Sequence, residues 1–239
     1  MPLSGLLLVL AAAVCHATWN VFVKKVGGGP VFLWLFSLIA SLIYLPFALF
    51  ILLAERPAFD PMQILFILGS VLLHLGYFSL LQAGYRRGDL SVVYPTARAT
   101  GPLLSSAFAV LLLGESLSWQ LALGGLIIVF GVMMLGGGFR SSGRQVSVSI
   151  LFGLGVGTLI GSYTAWDAYA VSVLLLPPLL MDYAITFGRV ILLAPVARRN
   201  WTEVQRQWQL ERTALFVVAV FSPLAYILVL YTMTFTPVV

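Results

Sequence analysis

The sequence predicts an all-α membrane protein built on an inverted repeat. Of its 239 residues, 61% are hydrophobic and only 9% are charged, and the mean hydropathy is +1.04. Soluble domains carry about 25% charged residues, so this composition excludes an ordinary soluble fold. Apolar stretches of roughly 20 residues, long enough to cross a bilayer core as helices, recur along the chain, and one short motif occurs in two of them.

We count eight such stretches and predict each to be a transmembrane helix. The first begins without a basic residue, and its apolar run is longer than that of a secretory signal, so we interpret it as a retained span. The predicted spans are Leu3–Val23, Val31–Ala54, Met62–Tyr85, Leu90–Leu113, Ser118–Gly138, Val148–Ala170, Leu179–Ala197 and Thr213–Met233.

The repeated motif reads HATWNVFVKK in the first span and YTAWDAYAVS in the sixth. The copies align on Trp19 and Trp166, so that Asn20 falls on Asp167. They are offset by five spans, and an odd offset inserts the second copy into the membrane with the opposite orientation. Inverted repeats are typical of secondary transporters, which bind substrate near the bilayer midplane. The repeat therefore favours transport.

Glycines recur at helical spacing in the sixth span. Gly153, Gly157 and Gly161 are four residues apart, which gives a flat stripe on which another helix can pack closely. A dinucleotide-binding loop would have to follow a strand, so we interpret the stripe as a packing surface. Gly124 and Gly131 are predicted to pack in the same way in the fifth span.

The basic residues predict the orientation, because Lys and Arg beside spans remain on the cytoplasmic side. The opposite side carries only Arg56, so we predict an N-terminus outside the cell. This distribution also means that the high isoelectric point reflects topology and not nucleic-acid binding. The connections after spans one, three, five and seven carry ten basic residues: Lys24, Lys25, Arg86, Arg87, Arg140, Arg144, Arg198, Arg199, Arg206 and Arg212.

The longest of these connections, RRNWTEVQRQWQLER, is predicted to form a short surface helix. Asn200 and Glu203 have the spacing of a capping box. Trp201, Val204 and Trp208 share one face and arginines the other, so we expect this helix at the lipid headgroup boundary. A solvated linker is the alternative.

Two arginines lie within predicted spans, where a charge is costly unless it faces a cavity or a partner. Arg98 lies eight residues into the fourth span, and Arg189 lies at a similar depth in the seventh. They could line a shared, water-filled cavity that holds a carboxylate or phosphate. Alternatively each is neutralised internally, with Asp182 or Asp167 as the nearest partner of Arg189.

Polar pairs at i, i+4 mark the repeated spans: His16 with Asn20, and Tyr163 with Asp167. Asp167 is the acidic residue at a repeat-equivalent polar position, so it is the first candidate for proton coupling or for holding a cationic group. His74, near the middle of the third span, could bind substrate or carry a proton. A hydrogen-bonded core histidine is the alternative.

Enzymatic and metal sites have little support in the sequence. Cys15 is the only cysteine, so no internal disulfide can form, and His16 and His74 are the only histidines. We find no HExxH motif and no serine, histidine and aspartate at one depth. We therefore predict no enzymatic activity, no metal site and no cofactor.

Three segments closely resemble the EamA family of the drug/metabolite transporter superfamily: HATWNVFVKK, GDLSVVYPTARATGPLLSSAFAVLLLGE and GSYTAWDAY. The resemblance implies two inverted five-helix repeats, ten spans in all, around a central cavity that carries small organic metabolites. The most specific positions are Tyr94, Pro95, Arg98, Gly101, Pro102, Gly114 and Glu115.

The chain has eight of the ten spans that the resemblance implies. Residues 1–139 form a first repeat of five spans, and residues 140–239 a second repeat of three. The counterpart of Val92–Gly138 is missing. We expect either a fragment of a longer protein or a truncated product.

The sequence thus predicts a secondary transporter of small polar metabolites that works by alternating access and could be coupled to protons. A non-transporting scaffold or an inactive truncated transporter is the alternative. We predict a bacterial inner-membrane location, contacts with the bilayer and a small substrate, no nucleic acid, and a possible homodimer. The predicted substrate-binding residues are Arg98, His74, Tyr94, Arg189, Asn20, Trp19, Tyr163 and Trp166, and the predicted coupling residues are Asp167 and His16.

Overall fold

The computed structural model describes residues 2–26, 28–57, 59–112, 119–135 and 144–236, and they are almost entirely helical. The apolar stretches account for every long helix, because a helix satisfies its own backbone hydrogen bonds inside a bilayer. The helices are α1 (Leu3–Val26), α2 (Pro30–Glu55), α3 (Pro61–Arg87), α4 (Leu90–Leu112), α5 (Trp119–Leu135), α6 (Arg144–Ser172), α7 (Pro178–Arg199), α8 (Trp201–Leu210) and α9 (Arg212–Met233).

A helix lies at each of the eight predicted spans, but the described residues confirm only six as long and apolar enough to cross a membrane. These six are α1, α2, α3, α6, α7 and α9. The described part of α5 is 17 residues long. α4 is 23 residues long but carries Arg98 and two prolines. The fourth and fifth spans therefore remain predictions.

The contacts divide the described chain into two compact units. Unit 1 contains Met1–Val71 and Ala170–Thr236, and unit 2 contains Leu72–Tyr169. Helices α3 and α6 contribute residues to both units. The two units are defined by contacts between residues, and the predicted repeats are defined by the sequence. The predicted boundary between the repeats, at residues 139 and 140, stays a prediction.

Unit 1 is held by close packing and by hydrogen bonds between helices. α1 packs along α9, and α2 packs on both α7 and α9. Trp34 Nε1 of α2 donates to the Val190 carbonyl of α7 at 3.1 Å, and the Tyr44 hydroxyl donates to the Val220 carbonyl of α9 at 2.8 Å. One buried core cluster consists of Ala170, Val171, Leu176, Met181, Ile185 and Leu230.

The turns before α2 and α7 share one backbone feature. Pro30 is the first residue of α2 and Pro177 is the N-cap of α7, positions at which a proline loses no helical hydrogen bond, and the predicted repeat aligns the two. Two residues before each proline, Gly28 and Leu175 both have a positive φ, 63° and 56°. Glycine adopts this conformation freely, whereas leucine is strained in it. Leu175 thus adopts a positive φ at the position where the first turn has a glycine.

The predicted surface helix is confirmed, but its predicted capping box is wrong. The Asn200 side chain makes no cap to α8, because its Nδ2 donates to the Val196 carbonyl of α7 at 2.8 Å. The Glu203 carboxylate instead accepts hydrogen bonds from Arg206 and Gln207. Asn200 therefore completes α7.

Candidate functional site

Unit 2 contains a site built by the close approach of α6 to α4. A Cβ at Gly153 would lie 2.5 Å from the Cβ of Thr96, and a Cβ at Gly161 would lie 2.7 Å from the Cβ of Leu104. A side chain at Gly157 would collide with Thr100 in the same way. The structure thus confirms the predicted stripe, since only glycine allows the two helices to lie this close.

Gly124 and Gly131 do not act as predicted. Among the described residues, no atom lies within 4 Å of a Cβ built at either position. The physical reason is that these two glycines of α5 face open space, whereas the glycines of α6 face a helix.

The beginning of α4 is also fixed to α6. The Asp89 backbone N–H donates to Ser149 Oγ at 2.8 Å, and the Asp89 carboxylate accepts from the backbone N–H and hydroxyl of Ser91. These hydrogen bonds to the charged form lower the pKa of Asp89. Gln145 Nε2 of α6 also donates to the carbonyl of Arg87, the last residue of α3, at 2.9 Å. α4 and α6 are thus joined at this end as well as along the glycine stripe.

The most specific contact in the site joins His74 of α3 to Asp167 of α6. Their atoms Nε2 and Oδ2 are 2.9 Å apart. The Asp167 side chain is completely buried, and that of His74 is 13% exposed. A buried carboxylate needs such a partner. The two candidates that the sequence treated separately are therefore one pair.

Two tyrosines extend this pair. The Tyr163 ring stacks on the His74 ring with centroids 4.1 Å apart, and the Tyr77 ring meets Tyr163 edge-on at 5.6 Å. Tyr163 is one helical turn before Asp167 on α6, as its i, i+4 spacing predicts. Tyr77 is one turn after His74 on α3. Both tyrosines therefore lie beside the histidine–aspartate pair.

Arg98 of α4 completes the site. Its guanidinium carbon is 5.2 Å from the centre of the Tyr94 ring, within the range of a cation–π interaction. It also interacts electrostatically with Tyr77, Tyr94 and Tyr163. Tyr94 is 40% exposed, so this end of the site is open.

We call this set of side chains from α3, α4 and α6 the polar cluster. It combines an arginine that can bind an anion, a buried acid–base pair, and phenol groups that both donate and accept hydrogen bonds. Tyr77 was absent from the predicted site, although its spacing of three residues from His74 places both on one face of α3. The polar cluster consists of His74, Tyr77, Tyr94, Arg98, Tyr163 and Asp167.

Arg189 has a different environment, in unit 1. Its Nη2 donates to Thr186 Oγ1 one turn earlier on α7 at 2.8 Å, and its guanidinium lies over the Phe36 ring at 5.8 Å. Asp182 is buried elsewhere on the same helix. Arg98 and Arg189 thus belong to different units, and the cavity predicted between them stays a prediction.

The predicted residues of α1 also belong to unit 1. Asn20 Nδ2 donates to the His16 carbonyl of its own helix at 2.8 Å, and the His16 ring meets the Trp19 ring edge-on at 4.8 Å. All three side chains are half-buried, and so is Trp166 on α6. These contacts of Trp19, Asn20 and His16 lie within α1, and their predicted part in substrate binding or coupling stays a prediction.

A groove of about 690 Å³ runs between α4 and α5 in unit 2. Apolar side chains such as Leu103, Val110 and Leu126 form most of its lining, and no member of the polar cluster contributes to it. An apolar surface of this kind suits lipid tails better than a polar metabolite. The polar cluster and this groove therefore lie in different parts of unit 2.

One comparison with known proteins bears on this site. The EamA-like transporter family matches residues 3–137, more than half of the chain. The matched region contains His74, Tyr77, Tyr94 and Arg98. It ends before α6, which supplies Tyr163 and Asp167.

Proposed function

Since the chain belongs to the EamA-like transporter family, a family of membrane transporters of the drug/metabolite type, we propose that it is a secondary transporter of small polar metabolites. The observation that carries this proposal is the polar cluster. Within the described residues, six helices are long and apolar enough to span a membrane, and charged groups inside such helices are costly unless they serve a pathway or a partner.

We propose that the substrate carries an anionic group, a carboxylate or a phosphate, which binds Arg98. A guanidinium recognises both groups through paired hydrogen bonds. The rings of Tyr94 and Tyr163 beside Arg98 offer apolar faces and hydroxyl groups for the rest of a small metabolite. This arrangement favours a substrate that is polar at one end.

The His74–Asp167 pair is our candidate for proton coupling. Its two atoms at 2.9 Å can hold a proton between them, and Tyr163 lies beside His74 and interacts electrostatically with Arg98. A substrate anion on Arg98 and a proton on the pair attract each other, so each favours binding of the other. We therefore expect the anion and the proton to move in the same direction.

Alternating access by an inverted repeat is supported by the order of the helices. At the offset that aligns Trp19 with Trp166, α1 corresponds to α6, α2 to α7 and α3 to α9. The turns before α2 and α7 both have a positive φ at the aligned positions Gly28 and Leu175. Rocking of inverted repeats about a fixed site is how many secondary transporters open to alternate sides.

We also propose an N-terminus outside the cell and a bacterial inner-membrane location. Basic residues cluster in the last turns of α1, α3 and α7, which favours a cytoplasmic position for those ends. Reporter fusions at Met1 and Ser142 test this: the opposite sidedness would overturn it.

The experiment that tests transport is flux into liposomes that contain the purified chain. A mixture of small metabolites is supplied outside, a pH gradient is imposed, and mass spectrometry identifies what accumulates inside. We expect accumulation of one or a few organic anions and none in protein-free liposomes. No protein-dependent flux with either direction of the gradient would contradict the proposal and favour the scaffold alternative.

A further inference from the structure

We propose that α8, together with the arginines before and after it, forms a binding surface for anionic phospholipid headgroups. The surface is separate from the polar cluster, and the inference does not depend on which metabolite is carried. It starts from how α8 is placed in unit 1, where it packs on α2, α7 and α9.

One narrow face of α8 is buried against these helices. Val204 is 4% exposed and Gln207 is 7% exposed. Trp201 and Trp208 lie to one side of this face and Leu210 to the other, and all three are exposed. Large apolar side chains exposed beside a buried face are typical of a helix that lies flat in the membrane interface. Tryptophan is the residue that prefers this depth.

The aromatic surface continues onto a membrane span. The Trp208 ring lies 6.2 Å from the Phe216 ring of α9, and Phe216 is itself 47% exposed. Because α9 qualifies as a span from Arg212 to Met233, Trp208 lies at the end of the span's lipid-facing surface. This placement puts α8 at the level of the headgroups.

The charges around α8 are arranged to attract an anion. Its acidic residue Glu203 is occupied by Arg206 through two hydrogen bonds of 2.6 and 2.7 Å. This pairing lowers the pKa of Glu203 to about 2, so the carboxylate stays ionised and neutralised by Arg206. Glu211 is the second acidic residue of this segment. The segment also carries three exposed arginines, Arg198, Arg199 and Arg212. The surface is therefore net positive.

Arg212 is positioned for a phosphate beside the tryptophan. Its Nε donates to the Trp208 carbonyl at 3.1 Å, and its guanidinium lies over the Trp208 ring at 5.4 Å. The hydrogen bond is made by Nε and so does not occupy the two Nη nitrogens. A planar guanidinium held in place in this way binds a phosphate oxygen at little entropic cost.

The test uses the full chain in vesicles of phosphatidylcholine with a fixed fraction of one lipid brominated near the headgroup. That lipid is either phosphatidylglycerol or phosphatidylcholine, and bromine quenches the fluorescence of nearby tryptophans. We expect stronger quenching by brominated phosphatidylglycerol, because each exposed arginine enriches an anionic lipid roughly fivefold. The excess should fall at high salt.

Two sets of variants locate the effect. Replacement of Arg198, Arg199 and Arg212 by glutamine should abolish the excess quenching, and so should replacement of Trp201 and Trp208 by phenylalanine. The matched control replaces three exposed cations at the ends of α1 and α3, Lys24, Lys25 and Arg86, by glutamine. This control should keep the excess quenching. Equal quenching by the two lipids in the wild-type chain would overturn the proposal, as would an excess that survives either α8 set.

Discussion

The two compact units use their polar residues differently. In unit 1, Trp34 and Tyr44 donate to backbone carbonyls of other helices, and Arg189 donates to Thr186 of its own helix and lies over the Phe36 ring. In unit 2, side chains from three different helices meet, and an acid–base pair lies beside an arginine and several tyrosines. On this contrast rests our proposal that unit 2 carries the chemistry of transport.

The largest effect should come from breaking the His74–Asp167 pair. A one-proton symporter can accumulate substrate up to about tenfold across a gradient of one pH unit. His74→Gln or Asp167→Asn should abolish this gradient-driven accumulation but leave exchange of substrate between the two sides. The measurement is accumulation and exchange in the same liposomes. Full accumulation in both variants would mean that the pair does not carry the proton.

Packing in unit 2 gives the next largest effect. Gly157→Ala forces a Cβ into Thr100 of α4 and should lower the free energy of unfolding by about 1–3 kcal/mol. Gly131→Ala is the matched control, because no described atom lies within 4 Å of its new Cβ. Thermal unfolding in detergent measures both variants. Equal stability of the two would show that the glycine stripe is not a close contact.

A strained turn in unit 1 gives a smaller effect of the opposite sign. Leu175 has a φ of 56° and its side chain is 75% exposed, so little packing is lost when it is replaced. Leu175→Gly should raise the free energy of unfolding by about 1 kcal/mol, because glycine adopts this conformation without strain. Transport should not change, since Leu175 does not belong to the polar cluster. A loss of stability would mean that the leucine side chain contributes more than its conformation costs.

The smallest effect concerns pH and the surface helix. The pKa of Glu203 is lowered from 4.5 to about 2 by its hydrogen bonds with Arg206 and Gln207. Its contribution to stability is therefore complete above pH 4.5 and is lost as the pH falls from 4.5 towards 2. Glu203→Gln should remove this part of the pH dependence. The measurement is the tryptophan fluorescence of both proteins between pH 5 and pH 2. An unchanged profile would show that the ion pair does not stabilise α8.

Sequence patterns predicted the helices well because each helix follows from local apolar length. They also predicted α8, whose face of Trp201, Val204 and Trp208 shows directly in the spacing. The capping box failed because Asn200 could satisfy either α7 or α8, and only the structure shows that it bonds Val196. The spacing of residues along the sequence does not show whether Asn200 bonds to α7 or to α8.

The candidate site was predicted only in part. Arg98, Tyr94, Tyr163, Asp167 and His74 were identified because polar residues are rare in apolar spans. Their pairing depends on how α3, α4 and α6 pack, which no spacing within one helix reveals. Arg189 and Arg98 look alike in sequence, and only their surroundings separate them.

The most direct test of this account compares Arg98→Gln with Arg189→Gln. We expect Arg98→Gln to reduce flux by about 10- to 100-fold, because that factor corresponds to the loss of a hydrogen bond to a charged group. The free energy of unfolding should change little. We expect Arg189→Gln to leave flux unchanged and to lower the free energy of unfolding by about 1 kcal/mol, since it loses the contact with Phe36. Equal loss of flux in both variants, or normal flux in Arg98→Gln, would contradict the assignment of the chemistry to unit 2.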